Sequence, residues 1–408
     1  MSVTTRPAAL LLQAAGETKY SARQTRTGQL SAASEPLLIS GTTRKLRSNK
    51  KHQQQTTNSI VIVVEQSIPE QQLHERQTTS LMPVGYDRYH DSKHSISDND
   101  LSIAVTIPAN ANWAHNGVTV AGGNGSGSAA NQINDPFGLF VDDDQTVVIA
   151  EWWNHRITQW QNGDTTNGQV VAGGNGAGNG LHRLNGPTGV LIDKETDSLI
   201  ICDYGNRRVV RWSRRSGTTQ GEILLDNIYC NGVAMDEQRY LYVSDVGKHQ
   251  VRRYQLGEKN GTLVAGGNGQ GDGLNQLNFP RYLFVDRDHS VYVSDNENHR
   301  VMKWVEGAKE GIVVVGGQGV GSALTQLNHP YGLFVDRLGT LYVADYGNHR
   351  VMRWSQGDNK QGTVIVGGKG QGEEANQLNR PVGLSFDRHG NLYVVDYNNY
   401  RVQRFSIE

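Results

Sequence analysis

A unit of about fifty residues recurs six times in the C-terminal part of this chain, and that period constrains the fold more than any other feature. One unit runs from His329 to Gly372 and reads HPYGLFVDRLGTLYVADYGNHRVMRWSQGDNKQGTVIVGGKGQG. Its neighbours keep the frame, with FPRYLFVDRDHSVYVSDNENHRVMKW from Phe279 and RPVGLSFDRHGNLYVVDYNNYRVQRF from Arg380. A turn tripeptide marks every copy: Asn154-His155-Arg156, Asn206-Arg207-Arg208, Lys248-His249-Gln250, Asn298-His299-Arg300, Asn348-His349-Arg350 and Asn399-Tyr400-Arg401. Successive copies stand 52, 42, 50, 50 and 51 residues apart.

Each unit parses into four strands. In the fifth, Gly332 to Val335, Leu341 to Ala344, His349 to Trp354 and Thr363 to Val366 are apolar runs, separated by stretches of turn composition. The runs are nearly continuous rather than alternating, as expected of sheets covered on both faces. High glycine, 48 of 408 residues and without a G-X-Y period, fits many tight connections and excludes collagen. Six four-stranded units predict an all-β, six-bladed propeller. A linear solenoid would need capping units at its ends. Here the ends are complementary instead. The last unit stops after three strands, and an orphan fourth strand, Val118 to Ala121, precedes the first. Pairing of that strand with residues 400–405 would close the ring and remove a long open edge.

Residues 1–100 lack the repeat and are rich in Ser, Thr, Gln, Arg and His, with one apolar run at Ile60 to Val64. Such a segment buries too little surface to offset its ordering entropy and is expected to be mostly disordered. Residues 101–117 are expected to be a lead-in and 118–408 the propeller. No stretch has the roughly 18 apolar residues of a membrane span. The short run after Arg6 is too weakly framed for a signal peptide. The sequence does not identify the compartment, although the cytoplasm is favoured. The sequons at Asn124 and Asn260 carry little weight in a chain so rich in Asn and Gly.

From Val118 onward the chain has 27 Lys and Arg against 31 Asp and Glu, whereas the first 117 residues have 12 against 9. Neither balance is that of a body built to neutralise many phosphates. Cys202 and Cys230 are the only cysteines; both lie in apolar runs and are expected to be free, buried thiols.

The stretch Asp345-Tyr346-Gly347-Asn348-His349-Arg350-Val351, preceded by Pro-x-Gly-Leu-x-Val-Asp and Leu-Tyr-Val-Ala-Asp, resembles the NHL repeat, and the resemblance runs over residues 118–408. It implies a six-bladed propeller used for protein binding and, in some relatives, for single-stranded RNA binding. NHL-bearing ubiquitin ligases carry zinc-binding modules upstream that a chain with two cysteines cannot build. Two departures stand out. The third unit has Lys248-His249-Gln250 and reads Glu222 to Asp226 where a Gly-Gly pair is due. The first has Glu151 for the turn Asp and adds Trp152-Trp153. The third blade is therefore expected to be the least regular.

The turn Asp and Arg recur in step: Asp203 with Arg208, Asp295 with Arg300, Asp345 with Arg350, Asp396 with Arg401. Catalysis needs one asymmetric constellation, so repeated pairs read as structural corners, each Arg fork holding a carboxylate and backbone carbonyls. His155, His249, His299 and His349 occupy equivalent turns on separate blades and are not expected to converge on a zinc ion. The Gly-Gly-Asn-Gly stretches at 122–127, 173–178 and 266–271 lack the helix and Lys-Ser pair of a phosphate loop and read as flexible turns. No catalytic residue, metal or cofactor is expected.

Strand parity places the turn tripeptides and the long Gly-Gly to Asn-Gln-Leu-Asn loops on one face. That face also carries variable residues beside prolines: Phe137, Phe279, Arg281, His329, Tyr331 and Arg380. Aromatic and Arg side chains on held loops favour recognition. The expected function is a monomeric, non-catalytic scaffold for a protein or peptide. Single-stranded RNA on the same face is the second reading. A channel-centred, metal-dependent enzyme, similar to peptide-amidating lyases or lactonases, is the third.

Overall fold

The computed structural model describes residues 105–355 and 361–408. The expectation of disorder over residues 1–100 lies outside them. Six antiparallel four-stranded sheets make up the described residues. Blade one is Pro136–Val141, Val147–Glu151, Arg156–Trp160 and Gln169–Gly173. Blade two is Pro187–Asp193, Ser198–Asp203, Arg208–Ser213 and Glu222–Asp226. Blade three is Cys230–Met235, Tyr240–Asp245, Gln250–Gln255 and Thr262–Gly266. Blade four is Pro280–Val285, Val291–Asp295, Arg300–Trp304 and Ile312–Gly316. Blade five is Pro330–Val335, Leu341–Asp345, Arg350–Trp354 and Thr363–Gly367. In blade six, Pro381–Phe386, Leu392–Asp396 and Arg401–Phe405 come from the C-terminus, and Val118–Gly122 pairs with Arg401–Phe405 as the outer strand.

Why the strands pack this way follows from their patterns. In blades one, two, five and six the first strand is buried along nearly its whole length, while the fourth strand of every blade is exposed at its start, so burial falls from the axis outward. Near the axis the inner strands approach so closely that side chains are excluded. A Cβ at Gly138 would lie 2.3 Å from the Thr188 carbonyl, at Gly189 2.8 Å from that of Asn231, and at Gly232 2.7 Å from that of Arg281. Gly332 meets Val382 in the same way, and Gly383 meets Phe137 of blade one. Glycine at this register is thus a packing requirement in five blades. Blade four has Tyr282 instead.

All six inner strands bulge at this point. In blade four the ladder pairs Pro280 with Asp295 and resumes at Leu283 with Val293, leaving Arg281 and Tyr282 outside it. The same interruption occurs in the other five inner strands. A bulge of this kind re-aims side chains away from the sheet plane. Here it sits around the channel.

Five of the six connections between blades span 123–135, 174–186, 267–279, 317–329 and 368–380; the sixth is only Asn227, Ile228 and Tyr229. This accounts for the one short repeat spacing and corrects the expectation for blade three. That blade has four regular strands and its own Gly266-Gly267. The strand lacking Gly-Gly, Glu222–Asp226, belongs to blade two, and the irregularity lies in the connection leaving it.

The cysteines also depart from expectation. Cys202 on the second strand of blade two and Cys230 at the start of blade three are disulfide-bonded, with Cα atoms 5.3 Å apart. Equivalent positions in later blades hold Ser244 and Ser294, which hydrogen-bond to the Arg281 and Tyr331 carbonyls of the following blade. The disulfide is the covalent version of that link. It lies where the long loop is missing.

The lead-in is more than an approach. Ile107 is fully buried, and the Trp113 indole donates to the Gly390 carbonyl at 2.9 Å while packing on Tyr342 and Phe386. Arg353 donates to the Ala111 carbonyl at 2.8 Å.

Candidate binding site at the channel mouth

Each long loop is clamped by the turn of the blade it leads into. In blade five, Arg350 Nε donates to Asp345 at 2.7 Å, Nη1 to the Ser322 carbonyl at 2.9 Å, and Nη2 to Ala323 and Gln326 at 3.1 and 3.2 Å. Asn348 Nδ2 bridges Asp345 and the Gly321 carbonyl, at 2.8 Å each. Arg156 with Glu151, Arg208 with Asp203, Arg300 with Asp295 and Arg401 with Asp396 repeat the arrangement. Burial pushes all five carboxyls up, and the Arg, Asn and backbone donors oppose it. Blade three shows the dependence in reverse. With no long loop to clamp, Gln250 and Lys248 replace the Arg and Asn, and Asp245 accepts the backbone N–H groups of Gly247 and Lys248.

The Gly-rich stretches are not free turns. In the first loop Asn124 Nδ2 donates to Asn131 O, and Gln132 Nε2 returns to Asn124 O, both at 3.0 Å. Loop 267–279 repeats both bonds. Ile133, Leu184, Leu277, Leu327 and Leu378 anchor the loops with zero exposure. Each fills space that the first Gly of the pair leaves open: a Cβ at Gly122 would lie 2.6 Å from Ile133 and at Gly316 3.2 Å from Leu327. Both glycines sit at positive φ, 67° and 74°.

The turn histidines lock the far end of the following loop. His155, His249, His299 and His349 each accept, through Nδ1, the backbone N–H of Gly186, Phe279, His329 and Arg380, at 3.0 to 3.3 Å. Burial holds all four imidazoles below the ordinary histidine range. They are spread over four blades, and among the described residues no group of three or more His, Cys, Asp or Glu is placed to hold a metal.

These clamps fix two sets of candidate residues. Phe279, His329 and Arg380 end their loops in the left-handed region, with φ of 52°, 51° and 59°. Phe137, Arg281 and Tyr331 belong to the inner strands rather than to loops, and are 3%, 8% and 5% exposed. The bulge brings them together around the axis. Phe137 packs on Trp152 at 5.6 Å, Tyr397 at 5.4 Å and Tyr331 at 6.4 Å between ring centroids. Tyr331 continues to Tyr346 at 4.9 Å and to Tyr282 at 6.4 Å. Trp152 leads to Tyr204 at 5.2 Å and then to Tyr229 at 5.7 Å. The Arg281 guanidinium lies 5.6 Å from the Phe279 ring and 5.5 Å from Tyr331. Arg380 lies 5.4 Å from Tyr346, whereas His329 sits apart, stacked edge-on against His299 and 3.7 Å from Glu297.

A family model of the NHL repeat matches residues 327–353 and 378–405. The fifth and sixth units are NHL repeats. No curated protein sequence matches the chain. Solved structures similar to this NHL propeller include a protein of unknown function from Bacteroides thetaiotaomicron, with a TM-score of 0.58, 17% identity, and coverage of 72% of this chain and 76% of that one. An auxiliary nutrient binding protein from the same organism has a TM-score of 0.55, 15% identity and coverage of 72% and 76%. Another from Bacteroides ovatus has a TM-score of 0.53, 14% identity and coverage of 73% and 77%. At these identities the likeness concerns the fold alone.

Sequence reasoning missed the second tier of the mouth. Trp152, Tyr204, Tyr346 and Tyr397 all directly follow the turn Asp or Glu, a position aromatic in four NHL units, and that regularity was the available signal. Tyr282 was signalled as the one non-glycine at its register. A separate open cavity of about 670 Å³ lies at the seam of blades six and one, lined by Thr119, Gly123, Glu373, Asn398 and Arg401. None of the mouth residues lines it.

Proposed function

We propose that this NHL propeller is a non-catalytic scaffold that binds a protein or peptide at the channel mouth. One observation carries the reading: aromatic rings from blades one, two, four, five and six form a connected lining around the axis, held by an over-determined frame. The repeated charges that would suggest chemistry are committed to the corner clamps. Two similar propellers are named as nutrient binding proteins, which agrees with recognition as a use of the fold.

A photo-crosslinking randomised peptide library, applied to the full chain, tests the proposal. Crosslinks are expected on Trp152, Tyr204, Tyr346 or Arg380. Crosslinks confined to the outer strands or the opposite face would refute it. Single-stranded RNA is the second reading, favoured by the Arg207–Tyr229 and Arg380–Tyr346 pairs, at 4.5 and 5.4 Å, since such pairs can stack bases. It requires affinity that falls steeply with salt.

A further inference from the structure

Five arginines are buried among the described residues, and four of them, Arg156, Arg208, Arg300 and Arg350, are ion-paired and hydrogen-bonded. Arg281 is the exception. It is 8% exposed, its Nε has neither a partner nor contact with solvent, and no carboxylate lies within ion-pair distance among the described residues. A guanidinium nitrogen shut off from solvent without a partner is unfavourable. Packing does not require it, because the same register is filled by Phe137, Thr188, Asn231, Tyr331 and Val382 in the other blades.

Its surroundings identify what is missing. The Arg281 charge acts on Tyr204 of blade two, Tyr346 of blade five and Glu297, which places it near the axis. Asn231, at the same register on the neighbouring inner strand, is 1% exposed and its Oδ1 has no donor. The adjacent Tyr282 hydroxyl is also occluded and unpartnered. A cation beside an unused acceptor, walled by Phe137, Phe279 and Tyr331, complements a carboxylate next to an amide N–H.

We propose that the channel mouth reads the free C-terminus of a peptide, with Arg281 taking the carboxylate and Asn231 Oδ1 taking the N–H of the last amide. This rests on the peptide-binding reading above and specifies which part of the peptide is held. Arg281 is the buried cation of the cup, with Arg207 and Arg380 lying over the outer rings of Tyr229 and Tyr346, and a buried cation next to a free acceptor suits a terminal carboxylate. A phosphate chain has no donor to offer and would leave the buried Asn231 Oδ1 unsatisfied.

The test uses the full chain on two arrays of peptides randomised over the last four residues, one with free C-termini and one amidated. Wild type is expected to be retained at least roughly tenfold more strongly on the free-acid array. Arg281→Gln should lose that preference and Arg281→Lys should keep part of it, while both keep the wild-type circular dichroism and melt no lower. Equal retention on both arrays overturns this inference and leaves peptide binding standing. Retention on neither array overturns both. Tight binding of a single-stranded oligonucleotide, lost in Arg281→Gln, would assign the cation to phosphate and also overturn the inference.

Discussion

Arg350→Gln tests how the propeller holds its long loops. The substitution removes the guanidinium that donates to Asp345, Ser322, Ala323 and Gln326, and leaves Asp345 with no exposed surface and no cation. Taking one partner from a buried ion pair costs about 3–5 kcal/mol. Asp345 keeps the Asn348 amide at 2.8 Å and the Asn328 N–H at 2.7 Å, which puts the expected loss at the lower end, about 3 kcal/mol. Blade three provides the control, because Gln250 already stands in this corner opposite Asp245, where the connection is only residues 227–229. Glutamine therefore fits the site, and the cost must come from the lost ion pair and the released carbonyls. The assay is urea unfolding at pH 7.5, followed by tryptophan fluorescence, for Arg350→Gln in two backgrounds. One is the native chain and the other has 317–329 replaced by the 227–229 sequence. The substitution should cost less in the second. A loss below about 1 kcal/mol in the native chain, or equal losses in both backgrounds, would refute the clamp.

Arg281→Met should raise the urea midpoint, because it removes a largely buried guanidinium whose Nε has no partner; a loss of more than about 1 kcal/mol in unfolding free energy would mean that the guanidinium is paired after all. Leu327→Ala, at zero exposure under its loop, should cost about 2–5 kcal/mol in the same assay. Reducing Cys202–Cys230, which closes a separation of 28 residues, should cost about 3–4 kcal/mol, measured as urea unfolding with and without reductant. The turn histidines set a pH dependence. Their folded-state pKa values are depressed, so the unfolded chain binds protons first and stability falls as pH drops below the ordinary value of about 6.5 toward the depressed folded values. Unfolding free energies between pH 7.5 and 5.5 check this, and His349→Gln should flatten the slope.

The blade count, the corner pairs and the orphan strand Val118–Gly122 were legible because repetition turns weak signals into a register. What depends on two blades meeting was not. Cys202 and Cys230 read as separate thiols until the short connection brings blade two against the start of blade three. Arg281 was visible as a variable residue beside a proline, but burial without a partner follows from the bulge and the closeness of the inner strands, which no local pattern encodes. The Gly-Gly-Asn-Gly stretches looked flexible because their restraints, Leu277 or Arg300, are supplied from further along the chain. The residues of the lead-in that are buried, Ile107 and Trp113, lack the repeat that made the rest readable.

The missing loop after Asp226 also has a geometric consequence. A ring with six equal rims would offer a bound chain six equivalent headings, and choosing one would cost about 1 kcal/mol from RT ln 6. Here the rim stands high over five sectors and drops to three residues over one, at the seam of blades two and three, beside Asn231 and one blade away from Arg281. That notch gives the mouth a single compass bearing, so a ligand whose end is seated at the axis has one low wall over which the rest of it can leave.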